Sequence, residues 1–265
     1  MKVISNFSKN YNEDPIRFFE FEQYEDQSND IDLFIGAYPD DSIFEKNNRK
    51  KIFFSTEEQT WDNDSTDKYL NNVEKILTIC PPNITNRQKR QFVFFPFNKN
   101  LIPKQNEKIY DAIYTGYANG PHVEIILNSI KKFNYRYVSF SNIPGLTTDS
   151  GVDYVKKLNL ISESKCCVVH NLVSNGTPQL KSRPFEAAFC KSLMLVYKDN
   201  FNIIEDWFTP NEDFLYFNNE NQLIEIISDA SVNYEKYEKI ISNAFEKSVN
   251  EYTTEKFIEK YIGLK

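Results

Sequence analysis

The chain has 265 residues, with 31 basic against 38 acidic side chains for a net charge of −7, and 40% of it is apolar. That length holds one large domain or two small ones, with apolar and aromatic side chains enough for a sizeable core. The acidic balance lacks the basic stripe of a nucleic-acid binder, and no run approaches the roughly 18 apolar residues of a membrane span.

Residues 2–6 read as a strand, not as a secretory leader, because no long apolar segment follows them. Ile16, Phe18, Phe19 and Phe21 predict a helix over 12–24. Strands are expected at 31–37, 51–55, 75–80 and 90–95, stopped by Gly36 and Pro39, by the polar stretch after Ser55, by Pro81-Pro82 and by Pro96 in turn. A short helix is expected at 66–72. Strands alternating with loops and helices indicate an α/β layer. The polar stretch 98–108, with Pro103, reads as a linker.

Residues 110–115 open a second set of elements as a strand. A turn from Gly116 to Gly120 follows, then a helix over 121–133 with Val123, Ile126, Leu127 and Ile130 on one face. A strand at 135–140 and a helix at 152–162 come next. Residues 166–169 form a short apolar strand, and 171–182 a polar loop broken by Gly176 and Pro178. Pro184 sits where a first helical position belongs, with Glu186 two residues further in. That helix ends near Lys191, and 193–197 is the next buried strand. Helices are expected from Leu223, over 234–249 and over 254–261. The repeated strand–loop–helix order describes a doubly wound sheet, whose loops at the carboxyl ends of the strands are its ligand edge. There, helix amino termini favour phosphate.

Cys80, Cys166, Cys167 and Cys190 lie in or beside apolar segments without metal-ligand spacing. Buried reduced thiols in a cytoplasmic protein are expected, and two histidines, His122 and His170, do not supply a zinc set.

Arg183, Phe185, Glu186, Ala187 and Ala188, then 193–197, then Pro210-Asn211-Glu212-Asp213-Phe214-Leu215-Tyr216-Phe217 and Gln222-Leu223, together resemble the donor-binding part of GT-B glycosyltransferases. The resemblance is to the "glycosyl transferases group 1" type with an Arg-x-x-Glu motif, and it covers about half of the chain, from Tyr110 onward. It implies an α/β protein of two Rossmann-like domains. These are a reduced acceptor-side domain at 1–105, a nucleotide-sugar domain at 106–250, and a C-terminal helix at 251–265 crossing back to the first. It implies a nucleotide-diphosphate sugar as donor, a glycan, lipid-linked or other hydroxyl as acceptor, and no metal cofactor. Asp62-Asn63-Asp64 spells a metal motif, but in a polar loop of the first domain.

By the same resemblance Glu186 holds the ribose hydroxyls. Its alternative role is a helix-start carboxylate that complements the dipole and reaches back to the cap. Arg183 and Lys181 are expected on the diphosphate, where their charge stabilises the leaving group as the glycosidic bond breaks; solvated loop charge is the alternative. Pro184 and Phe185 open the same helix. Gly116 and Gly120 let backbone approach phosphate or sugar, or simply make a turn. His122 faces the phosphates or caps its helix, and His170, with Asn171, stands at the ligand edge or is a satisfied loop histidine. Asn142 and Val152 lie in or beside the nucleobase loop. Glu57, with Glu58, is the candidate base of an inverting transfer. Two departures stand out: Pro178 occupies the place of a first family Glu, and Lys191 that of a helix-closing Gly. The expected activity is sugar transfer; a nucleotide-sugar isomerase (epimerase) of the same fold and a catalytically inactive nucleotide-sugar-binding module are the alternatives.

Overall fold

The computed structural model describes residues 1–5, 21, 23–26, 29–56, 68–81, 89–104, 107–139 and 145–264. Most of the helix expected at 12–24 lies outside them, as do Glu57, Glu58, Asp62, Asp64 and Asn142. The described part of the helix expected at 66–72 is a turn, closed by the Asn72 amide on the Tyr69 carbonyl at 2.9 Å. The chain divides into two compact units, Met1–Asn98 with Thr254–Lys265, and Lys99–Thr253.

The first unit carries a parallel sheet in the order β1 (Lys2–Ser5), β2 (Ile31–Gly36), β3 (Lys50–Ser55), β4 (Lys75–Thr78), β5 (Arg90–Phe92). β2 and β3 are buried almost throughout, as expected where both faces of a parallel sheet are covered. Phe34, Phe53 and Ile76 face a cluster with Ile43, Tyr69, Leu70 and Val73. Two neighbouring rings, Phe54 and Phe94, meet Phe257 at centroid distances of 4.9 and 5.5 Å. β4 stops earlier than the apolar run suggests, because Thr78 Oγ1 accepts the Cys80 amide at 3.0 Å and turns the chain.

The second unit is built on β6 (Tyr110–Thr115), β7 (Tyr135–Val138), β8 (Ser164–Val169), β9 (Leu193–Tyr197) and β10 (Leu215–Phe217). All pair in parallel, in the order β10-β9-β8-β6-β7. The direction of winding reverses at β6, so the switch point falls between β6 and β8. Open α/β sheets bind ligands in that crevice.

Its helices are α1 (Pro121–Ile130), α2 (Tyr154–Ser162), α3 (Arg183–Phe189), α4 (Glu220–Val232) and α5 (Glu238–Glu251). Period-2 alternation sorts the strands. Ala112, Tyr114, Cys166, Val168, Leu193 and Leu195 share one core with Val123, Ile126 and Ile130 of α1 and Leu223 and Ile227 of α4. α3 packs with α2 and α5. α5 is preceded by a 3-10 turn, Tyr234–Tyr237, where a continuous helix was expected. A short final helix α6 (Thr254–Phe257) runs into a π-helical turn, Ile258–Ile262, and belongs to the first unit.

Lys191 explains one departure from the family pattern. It adopts φ +51, the left-handed conformation for which glycine is the usual helix-closing residue. The Ser192 amide reaches back to Ala187 at 3.0 Å, so the closure is kept and only the residue type differs. Lys108, at the end of the polar stretch 98–108, is tied to the second unit by its side chain. Its Nζ donates to the carbonyls of Ser162 (2.8 Å), Ser164 (3.0 Å) and Lys191 (2.7 Å). Burial lowers its pKa to about 8. All four cysteines are free and buried, and burial pushes the Cys167 thiol up to about 12.

Candidate functional site

β6 and β8 flank the switch point, and the loops that leave them deliver most of the candidate residues. Gly116 follows β6 at φ +135, and Gly120 precedes α1 at φ +99; both values lie where a side chain is strained. The reason for glycine at Gly116 is steric as well. A Cβ there would stand 2.1 Å from Arg183 Nη2 and 2.5 Å from its Cζ. The guanidinium of Arg183, at the first residue of α3, thus lies directly against the backbone of the β6 loop. At Gly120 a Cβ would stand 2.7 Å from His122 Cε1, so the imidazole folds back over the start of its own helix.

The loop after β8 is closed by its own backbone. Asn171 accepts the Gln179 amide at 2.8 Å, and Val173 and Thr177 pair across the turn. The Asn171 side chain accepts the Lys181 amide at 3.3 Å. Lys181 Nζ donates to Gln179 Oε1. Gln179 is 3% exposed, and its Nε2 has no hydrogen-bond partner among the described residues.

His170 and Tyr114 form the floor. His170 Nδ1 accepts the Leu172 amide at 3.4 Å, and Nε2 lies 2.9 Å from Tyr114 Oη, which itself donates to the Tyr117 carbonyl at 3.2 Å. These partners fix a neutral imidazole that carries its proton on Nε2 and donates to Tyr114. In that tautomer the 3.5 Å approach of Arg183 Nη1 to Nε2 brings two donors together and is no hydrogen bond. Burial holds His170 well below the ordinary imidazole range, and Arg183, His122 and Lys181 add to it. Burial also pushes Tyr114 up to about 12, against the pull of Arg183. The Arg183 guanidinium sits 5.7 Å from the Tyr114 ring.

His122 is 4% exposed, and its Nε2 is buried without a partner among the described residues. Its ring centroid is 4.4 Å from that of His170 and 6.0 Å from that of Tyr197. Burial lowers its pKa first, then Lys181 and Arg183. Gly116, Gly120, His122, His170, Lys181 and Arg183 therefore form one constellation. Two cations, two neutral imidazoles and the amino terminus of α1 meet at the carboxyl edge of the sheet. Chemically, such an arrangement can cradle an anion.

Glu186 stands apart. It is fully buried, and its Oε1 accepts from Tyr154 Oη and from Lys157 Nζ of α2, both at 3.1 Å. Its carboxylate thus crosses to a neighbouring helix. Phe185 is a core residue, packed on Phe208 and Tyr252 at 5.5 and 5.3 Å, and it carries no polar group toward the cradle. Pro184 is buried at the first turn of α3, and Val152 is buried before α2. Sequence reasoning did not single out Tyr114, Tyr154, Lys157 or Gln179. Tyr154 and Lys157 are three apart, on one face of a helix, but only the packing of α2 on α3 gives that face its partner. Among the described residues no cluster of His, Cys, Asp and Glu fits a metal ion, and no helix is long and apolar enough to cross a membrane.

A family described as glycosyl transferase-like matches residues 126–263, more than half of the chain. No curated protein matches by sequence. Among solved structures, TarM aligns with a TM-score of 0.62 at 14% identity, over 92% of this chain and 56% of TarM. The pneumococcal O-GlcNAc transferase GtfA, in complex with UDP and GlcNAc, aligns at 0.59 with 10% identity, over 94% of this chain and 58% of GtfA. Anabaena HepE, in complex with UDP and glucose, aligns at 0.58 with 10% identity, over 82% of this chain and 72% of HepE. The chain thus spans little more than half the length of TarM and GtfA.

Proposed function

The chain belongs to the glycosyl transferase-like family and has the GT-B fold, and from that premise we propose that it transfers a sugar from a nucleoside-diphosphate sugar to an acceptor hydroxyl without a metal ion. The observation that carries the reading is the Arg183 guanidinium seated against Gly116 at the switch point, beside Lys181 and the amino terminus of α1.

A diphosphate in this cradle meets charge where the reaction generates it. The bond between the anomeric carbon and the β-phosphate oxygen breaks, and its electron pair stays on the phosphate. Arg183 offers a planar fork to those oxygens, Lys181 a point charge, and α1 the positive end of its dipole. Each interaction strengthens as negative charge accumulates, which lowers the barrier as well as the ground state. His170, held neutral, donates to Tyr114 and keeps the floor of the cradle uncharged. The acceptor oxygen attacks the anomeric carbon and loses its proton to a base; Glu57 is the candidate from the sequence if the transfer inverts. The ribose role of Glu186 requires a diol to reach a carboxylate already held by Tyr154 and Lys157. The metal-free reading is supported by two protein cations doing the work of a divalent ion on the leaving group. That UDP accompanies both HepE and GtfA makes a uridine donor the first to try.

The test is donor turnover with a panel of nucleotide sugars, read by mass spectrometry. Slow release of free sugar and nucleoside diphosphate, slowed by about one to two orders of magnitude in Arg183→Ala, is expected. Conversion of the sugar while still on the nucleotide identifies an isomerase instead, and saturable binding without either reaction identifies a binding module.

A further inference from the structure

His122 has no role in the reading above. It is buried at the second residue of a ten-residue helix, its Nε2 without a partner among the described residues. Facing it are His170 from the end of β8, Tyr197 from the end of β9, and Lys181 and Arg183 from the loop and start of α3. On its own helix the acidic residue of the first turn, Glu124, is exposed. The neighbours that act on its charge are thus cations. In the free protein a proton on this imidazole is opposed by burial and by two positive side chains, so the ring is neutral. A buried donor or acceptor left unpaired is costly, and a phosphate oxygen in the cradle supplies the missing acceptor.

We propose that His122 takes up one proton when a diphosphate enters the cradle, and so becomes a third cation on the leaving group. This rests on the diphosphate reading. The proton passes from buffer to an imidazole nitrogen, and no covalent bond is otherwise made or broken. The physical reason is a reversal of sign. Bringing an anion within about 4–6 Å favours the charged imidazole by roughly one to three pK units, which outweighs the opposition of Lys181 and Arg183 because those two are then neutralised by the same anion. The site in this view is filled by cation and anion together, and the affinity for leaving group falls as pH rises. His170 is not the proton acceptor, because both of its nitrogens are already engaged and Nδ1 accepts a backbone amide.

The chain has two histidines, so the imidazole Cε1 proton signals number two, and His122→Gln assigns them. The probes are UDP, ADP, GDP and inorganic pyrophosphate. At saturating UDP the His122 midpoint should rise by about one unit or more, while the His170 signal remains that of a neutral ring. Calorimetry in two buffers of different ionisation heat should register, near pH 7, uptake of a fraction of a proton more in the wild-type protein than in His122→Gln. Between the free and bound midpoints, UDP affinity should fall up to about tenfold per pH unit more steeply than in His122→Gln; titration of UDP's own terminal phosphate is common to both proteins. Should His122→Gln fail to fold, His122→Asn assigns the signals instead, and proton uptake by the wild-type protein decides between the outcomes. UDP saturation with an unmoved His122 midpoint and no proton uptake overturns the proposal while leaving the diphosphate site standing. Failure of all four probes to bind overturns the diphosphate reading, and the proton uptake with it.

Discussion

Substituting Gly116 by Ala tests whether the β6 loop acts through Arg183. A methyl group at this position would stand 2.1 Å from Arg183 Nη2 and 2.5 Å from Cζ, well inside contact distance. Those atoms are the far end of a flexible side chain, so the guanidinium swings away and the core does not unfold. The stability cost comes instead from the backbone, held at φ +135. Such a conformation costs a non-glycine residue about 1–3 kcal/mol, or roughly 2–4 °C in Tm for each kcal/mol in a chain of this size. The catalytic cost is separate. Displacing Arg183 removes a charge-assisted hydrogen bond to phosphate, a contribution of about 1.5–3 kcal/mol, and so slows the chemical step by about one to two orders of magnitude. Arg183→Ala should lose about as much in kcat, and Arg183→Lys should fall between it and wild type. The informative protein is the double variant. If Gly116 matters because it seats Arg183, Gly116→Ala should cost almost nothing further in an Arg183→Ala background, a coupling of about 1.5–3 kcal/mol in a cycle on kcat for donor hydrolysis. Losses that simply multiply would show that the two positions act independently, and unchanged kcat in Gly116→Ala would remove Arg183 from the reaction.

Glu186→Gln should lower stability by about 3–5 kcal/mol, because it removes the carboxylate that faces the buried Lys157 ammonium. Adding Lys157→Met should recover most of that in chemical denaturation, whereas recovery of none would mean that the pair is not coupled. Stability should climb between about pH 8 and the ordinary lysine range near 10.4, because Lys108 has its folded pKa lowered to about 8. The folded state disfavours the charged amine, so its stabilising contribution is complete above the unfolded pKa and lost as pH falls through 8. Lys108→Met should flatten that rise in denaturant titrations; an identical pH profile in the variant would exclude Lys108 as its source. Donor turnover should survive EDTA, and complete loss restored by manganese would refute metal-free transfer and direct attention to Asp62 and Asp64.

The sequence by itself determined the fold class and most of the described strands and helices. The apolar runs at β2, β3, β6, β8 and β9 are long enough and dense enough to name strands buried on both faces, and Pro184 and Pro121 mark helix starts because a missing N–H costs nothing there. The family was legible in Arg183, Glu186 and the Pro210–Phe217 segment because their order is specific even where each piece is short. Strand ends were less legible, since Thr78 stops β4 with a side-chain hydrogen bond that hydrophobicity does not register. What only the tertiary structure decided is who meets whom. Strand order sets that, and nothing local encodes the placing of β8 beside β6. That one adjacency lays Arg183 on Gly116 and His170 against His122, residues 67 and 48 positions apart in the chain. It takes Glu186 the other way, onto Tyr154 and Lys157, because a carboxylate near the start of α3 points at whichever helix packs there. Burial followed from the same packing: it keeps both imidazoles neutral, a property that residue type and spacing alone leave open.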